Sequence, residues 1–226
     1  MDRKEIEENV IPLFPISNIV IFPKVRVPLI VSDEKYKPLI FESAVRSKFI
    51  GFFPIKESRK VSDDAEKIFP IGCAGKVISV SEISPNVFSV VVEGLFRVKL
   101  ISLLKGENYN SARFEILHEI LPDEKIQDEL KRDLIEVAVK FLVKIGESRE
   151  RIAEISQVAN NMNFEEVLNW AILLHPLRFT SKLSLMAEDN VSIRAKKFVE
   201  EVKRDIFYID LVAEYRDMKP KDPRVN

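Results

Sequence analysis

Three side chains could between them make a nucleophile and its base: Cys73, the one cysteine of the chain, and the two histidines, His118 and His175. A thiol attacks only beside a base that takes its proton and donors that hold the resulting oxyanion. Cys73 stands in the apolar run Ile71-Gly72-Cys73-Ala74-Gly75-Lys76-Val77-Ile78, where a free cysteine behaves as a small buried hydrophobe. His175 directly precedes Pro176 at a helix end, where an imidazole meets free carbonyls. No catalytic residue is expected from these three. Glu93-Gly94-x-x-Arg97 sets a carboxylate and a guanidinium beside a glycine. A glycine within a strand pattern marks a bulge or a positive-φ turn, and the two charges are expected to satisfy one another or the backbone. Glu200, Glu201, Asp205 and Asp210 alternate with Lys196, Lys197, Lys203 and Arg204, which reads as an ion-paired, solvated helix face rather than a metal site. The six glycines, at 51, 72, 75, 94, 106 and 146, never fall in the G-x-x-x-x-G-K-[S/T] spacing whose backbone N–H groups surround phosphates. Neither a metal nor a nucleotide cofactor is expected.

Composition narrows the partner class. The chain has 226 residues, 46% of them hydrophobic and 31% charged. That is enough for one large domain or two small ones with a substantial core and no staples. Its 35 basic and 36 acidic residues give a formal net charge of −1 and are interspersed. Nucleic acids and anionic membranes select basic patches, so neither is the expected partner. One cysteine excludes an internal disulfide. The start, Met1-Asp2-Arg3-Lys4-Glu5-Ile6-Glu7-Glu8-Asn9, lacks the apolar region of a signal peptide, and no apolar run approaches a membrane span. The expected location is the cytoplasm.

The elements that position these residues fall into two halves. Up to about residue 120 the apolar period is two. Three β-branched runs open the chain, Ile11–Ile16, Ile19–Pro23 and Val25–Val31, each interrupted by proline. Proline cannot donate to a ladder, so short, kinked strands at edges and bulges are expected. Phe49–Ile55 reads as a buried strand, with Phe49, Phe52 and Phe53 as core, and Ile71–Ile83 reads as a longer strand. The Ser84-Pro85-Asn86 turn predicts a hairpin with Val87–Glu93, and Leu95–Leu104 and Ala112–Ile120 supply two further strands. Between them, Asp33–Lys48 is the exception: Tyr36, Leu39, Ile40 and Val45 recur at helical spacing behind a potential cap at Asp33. The polar segment Lys56–Lys67 reads as a surface loop. After residue 120 the period becomes 3.6. A helix from Pro122-Asp123 places Ile126, Leu130, Leu134, Val137, Phe141 and Leu142 on one face. Ser148 is placed to cap the next helix, and Asn163 with Glu166 forms a capping box for a third ending at Pro176. A short helical piece follows at Lys182–Ala187, and Asp189 is placed to cap a long last helix through about Tyr215. The predicted organisation is a β-rich lobe over 1–120, a helical lobe over 121–218 and a disordered tail over 219–226.

The opening, Leu13-Phe14-Pro15, then Phe22-Pro23, then Val27-Pro28-Leu29, resembles the start of the N-terminal substrate-recognition domain of Lon proteases. Two further stretches strengthen the likeness in the same order. Ile71–Ile78 is similar to that family's I-G-x-x-A/G-x-I strand, and Val90–Leu100 to its V-x-V-x-G-x-x-R-x-x-I signature. The resemblance covers about residues 10 to 210 and implies a twisted, partly barrel-like, PUA-like β lobe followed by an α-helical bundle lobe, an α+β fold. In Lon proteases this region precedes an ATPase module and a serine–lysine protease domain. Neither follows within these 226 residues, so the expectation is a stand-alone recognition module without ATP-driven proteolysis.

The expected function is thus a non-enzymatic, cofactor-free module that binds unfolded or apolar polypeptide segments, as an adaptor or regulator in protein quality control, with an ATP-dependent protease as a candidate partner. Binding would use a groove or exposed edge of the β lobe, or an apolar cleft beside the first helix. Bent strands leave edges and concavities, so Phe14, Pro15, Phe22 and Pro23 are taken to border the site. Two rivals stay open: a small-molecule-binding protein or enzyme, which needs a deep polar pocket with perturbed carboxylates, and an RNA-binding protein, suggested by the implied PUA-like fold and needing a basic concave face with exposed aromatics.

Overall fold

The computed structural model describes residues 9–46, 48–55 and 68–218. The predicted loop Lys56–Lys67 and the tail 219–226 lie outside the described residues. The first half of the chain forms β1 (Val10–Ile16), β2 (Arg26–Val31), α1 (Lys37–Arg46), β3 (Ile50–Pro54), β4 (Ile71–Ser84), β5 (Val87–Leu104) and β6 (Ser111–Ile116). The second half forms α2 (Glu124–Lys144), α3 (Arg149–Asn161), α4 (Phe164–Leu174), α5 (Phe179–Met186) and α6 (Val191–Met218). The α+β class is as expected.

The strands run in the order β2-β5-β4-β3-β1-β6, and β6 pairs again with β5. Five strands therefore close a ring, while β2 hangs on β5 outside it. The length of β5 makes this possible. Its first part, Phe88–Glu93, pairs with β2, and its last part, Val98–Leu104, pairs with β6. Register shifts at Ala74/Gly75, Val77/Ser79 and Leu100/Ser102 bend the strands, as a bulge bends any ladder. The two strands read as Val87–Glu93 and Leu95–Leu104 are consequently one, with Leu95 as the extra residue between the Gly75–Gly94 and Ala74–Phe96 pairs. Ile11, Leu13, Phe53, Ala74, Val98, Ala112 and Phe114 meet in one cluster, so each strand of the ring contributes to its filling. The Pro85-Asn86 turn joins β4 to β5, with Asn86 at φ 66°.

The middle opening run is not a strand. Val20, Ile21 and Phe22 are buried, yet residues 19–23 make no ladder pairing. Positive φ values at Asn18 and Lys24 turn the chain on either side of it. Its polar backbone instead meets Gly94: Lys24 N–H donates to the Gly94 carbonyl at 2.8 Å, and Gly94 N–H donates to the Val25 carbonyl at 3.0 Å. A Cβ at Gly94 would lie 2.2 Å from the Phe22 carbonyl oxygen, so this approach requires glycine. The predicted bulge is present; the alternative positive φ is not, since Gly146 is the glycine that adopts one among the described residues. Likewise α1 begins at Lys37 rather than after Asp33. The Asp33 carboxylate accepts from Lys35 N–H at 2.9 Å and its carbonyl accepts from Tyr36 N–H at 3.1 Å, which makes a turn ahead of the helix.

The chain divides into two compact units, Met1–Ile120 with Ile172–Asp189, and Leu121–Ala171 with Asn190–Asn226. The segment 172–189, which carries the end of α4 and all of α5, groups with the ring. Within the second unit, α2 packs against both α6 and α3. The buried face of α2 is Leu134, Val137 and Phe141, whereas Ile126, one predicted member of it, is exposed. Ser148 Oγ accepts from Arg151 N–H at 3.2 Å, and Asn163 and Glu166 exchange side-chain-to-backbone bonds at 2.9 Å in both directions. The cap of α6 is Asn190, not Asp189: Asn190 Oδ1 accepts from Ile193 N–H at 3.1 Å.

Candidate functional site

Cys73 lies fully buried in β4, with its thiol donating to the Ala74 carbonyl at 3.3 Å. Burial pushes that thiol up to about 12, against the thiolate a nucleophile needs. His118 is exposed on the segment after β6, and His175 is buried at the end of α4. A buried thiol and an exposed imidazole do not make a dyad. Among the described residues no group of His, Cys, Asp and Glu could hold a metal ion. On α6 the charges pair as the alternation suggested, Arg204 with Glu201 at 2.7 Å and Asp210 with Lys144 of α2 at 2.5 Å.

Glu93 and Arg97 do not satisfy one another. Glu93 of β5 ties β4 and β2 to its own strand, accepting from Lys76 of β4 at 2.9 Å and Arg26 of β2 at 3.2 Å. The Lys76 hydrogen bond, aided by Arg26, holds its carboxyl below the usual glutamate range despite partial burial. Arg97 lies between Phe96 and Val98, which pack in the ring cluster, so alternation turns its side chain to the other face of β5. It is nevertheless fully buried. Nε donates to Glu119 Oε1 at 2.7 Å, Nη2 to Asp189 Oδ1 at 2.8 Å and Nη1 to the Met186 carbonyl at 2.9 Å. Sequence spacing could not show these partners, 22 to 92 residues away.

Of the four residues taken to border a binding site, none is exposed. Phe14 is buried with its ring 4.9 Å from that of Tyr36 and 5.9 Å from that of Phe52, Phe22 and Pro23 are buried, and Pro15 is half-buried opposite Phe53. Phe52 and Phe53 are core, as expected. Apolar side chains reach the surface of this unit at several places, among them Ile83, Ile101, Ile120 and α1. Phe41 and Val45 of α1 are 41% and 84% exposed, and Pro38 completes their stripe at i, i+3 and i+7. The Phe41 ring meets Phe88 of β5 edge-on at 5.1 Å, and the Lys37 ammonium, paired with Glu34, stands 5.6 Å from the Phe88 centroid. Val45 shares the helical spacing of Leu39 and Ile40 but not their burial. The helix buries Leu39, Ile40 and Ser43 and turns Val45 outward. The signal for a second apolar stripe, Pro38-Phe41-Val45, was present in the spacing.

β2 adds a sheet edge. Among the described residues it pairs with β5 alone, buries Val27, Leu29 and Val31, and exposes Arg26, Pro28 and Ile30. Pro28 suits an edge strand, where its missing N–H costs no ladder bond. The second unit holds two clefts, one of about 480 Å³ lined by Lys125, Asp128, Glu129, Lys131, Arg132 and Asn160, the other of about 300 Å³ between α2 and α6. Their rims carry both signs of charge, and Lys131 is taken up capping the α3 end through the Asn160 and Met162 carbonyls.

Residues 10–204 match the family model of the ATP-dependent protease La (LON) substrate-binding domain. Relatives include the Lon protease of Halothermothrix orenii, 26% identical over 91% of this chain and 26% of that protein. The Lon protease of Dictyoglomus thermophilum is 23% identical over 93% of this chain and 27% of its own length. The chain thus spans about a quarter of the curated relatives it matches. Among solved structures, the N-terminal domain of Mycobacterium avium complex Lon protease aligns with a TM-score of 0.69 at 16% identity, over 86% of this chain and 98% of that one. A Lon N-terminal domain protein from Xanthomonas campestris aligns with a TM-score of 0.57 at 17% identity, over 84% and 97%.

Proposed function

This chain belongs to the substrate-binding domain family of the ATP-dependent Lon protease, and from that premise we propose that it is a polypeptide-recognition module with no chemistry of its own, serving as an adaptor or regulator for an ATP-dependent protease in the cytoplasm. The observation that carries the reading is the pair of exposed apolar side chains Phe41 and Val45, with the half-buried Phe88 ring beside Phe41, on the ring unit. A surface of that kind, set among charged side chains, is what a partner with apolar segments recognises. Phe14, one of the four residues taken to border the site, packs on Tyr36 just ahead of α1 and so helps to seat the helix. The open side of β2 offers an extended peptide a second foothold through backbone bonds. The absence of a phosphate-loop spacing in these residues fits a module that hydrolyses no ATP itself.

Fluorescence anisotropy with a labelled unfolded, apolar-rich peptide tests this. Phe41→Ser with Val45→Ser is expected to weaken binding about tenfold or more, since each removes roughly 1–2 kcal/mol of apolar contact. Thermal stability should change little, because both side chains already face solvent. Unchanged affinity in the double variant would remove the patch from the site, and competition by RNA would replace the polypeptide reading.

A further inference from the structure

We propose that Arg97 is an ionic clasp that closes the ring unit where the chain leaves it, holding the segment 172–189 on the sheet as a detachable strap. The chain departs from this unit after Ile120, returns at Ile172 and departs again after Asp189. Arg97 grips both departures. Its guanidinium binds Glu119, one residue before the first, and Asp189, the last residue before the second, together with the Met186 carbonyl at the end of α5. Two backbone bonds run alongside: Leu117 N–H donates to the Arg97 carbonyl and Ile120 N–H to the Asp189 carbonyl, both at 3.0 Å.

The physical logic lies in the asymmetry of burial. The Arg97 side chain has no exposure, whereas those of Glu119 and Asp189 are 16% and 51% exposed. Arginine's planar fork lets one buried cation hold three acceptors from two segments at fixed angles, which an ammonium cannot do. With the arginine removed, two carboxylates stand together without their counter-charge, and the residues that held it lose their common partner. Other contacts of the strap include the Phe69–Phe179 ring contact at 5.9 Å, the burial of Leu185 and Met186, and Lys182, whose ammonium donates to the Leu173 carbonyl at 2.7 Å. The ring contact and the burial attach the strap through apolar surface, and the Lys182 bond ties one part of the strap to another. Arg97 is thus a polar link between strap and sheet, and its loss opens the strap without unpairing the ring strands.

Chemical rescue in the full chain separates a clasp from a merely filled space. Arg97→Ala leaves a guanidinium-sized gap lined by the same acceptors. Amide hydrogen exchange read by NMR is expected to accelerate at Ile120 on the order of 100-fold, from the loss of the buried cation that its two part-buried carboxylate partners share. Val90 and Val92 in the β4–β5 ladder should stay protected. Guanidinium at tens of millimolar should restore Ile120 protection, and sodium chloride at equal ionic strength should not. Acceleration spread evenly over the ladder, no acceleration at Ile120, or equal rescue by sodium would each overturn the proposal. Should Arg97→Ala not fold, Glu119→Gln with Asp189→Asn leaves the arginine in place and removes both counter-charges; an unchanged Ile120 amide in that variant would overturn it equally.

Discussion

Glu93 and Arg97 of the Val90–Leu100 stretch serve different scaffold tasks, and the difference comes from which face of β5 each occupies. Glu93 faces the partly exposed side of the β2-β5-β4 sheet and collects two cations. Its carboxyl is held below the usual range, chiefly by Lys76, so the ionised form favours the folded state. That contribution is complete above the unfolded glutamate value and is lost as pH falls through the lower folded one. Glu93→Gln is therefore expected to cost up to about 1 kcal/mol at pH 7, in keeping with partly exposed ion pairs. The gap between the two proteins should close below the folded-state titration. Urea melts at pH 7 and pH 3 check it, and a penalty equal at both pH values would assign the effect to packing. Arg97, four residues on, faces the covered side and binds acceptors that arrive from far along the chain.

At the scale of elements, what could be read from the sequence was what the chain decides locally. Ser148 and the Asn163–Glu166 box lie within one turn of the groups they bond, so their spacing is their mechanism. The Pro85-Asn86 turn was equally local. The cap expected for α6, Asp189, is taken by a tertiary partner: Arg97 binds its carboxylate, and the next residue, Asn190, caps the helix. The run at 19–23 misled for the converse reason. Its apolar residues report burial, and burial they have, but the ladder bonds that would make a strand are replaced by the Gly94 interlock. Likewise the stripe of α1 could be recognised as helical, while which of its two apolar faces met the sheet could not. The division at α6 makes a prediction. Asn190→Ala should cost about 1 kcal/mol of helix-end stability, the usual worth of an N-cap. It should speed exchange at Ile193, whereas Asp189→Asn should leave that amide protected. The reverse pattern would return the cap to Asp189.

For the whole molecule, near-neutral charge and a small apolar surface define the kind of binding the proposed function permits. A formal charge of −1 supplies no long-range steering, so association rests on short-range apolar contact. The patch on α1 and β5 presents two exposed side chains and one half-buried ring, well short of the area that sustains tight complexes. Affinity for an unfolded apolar-rich peptide is accordingly expected at about micromolar or weaker, roughly −8 kcal/mol or less in magnitude. Such a peptide must also give up conformational freedom when it orders, which reduces the net further. Titration calorimetry at several temperatures should show a negative heat-capacity change, the signature of apolar burial. Between low and moderate salt the dissociation constant should hardly move, because the Debye length acts on charges and not on buried apolar area. A steep loss of affinity over that range would mean that Lys37, Arg46 and Lys48 around α1, rather than Phe41 and Val45, carry the contact.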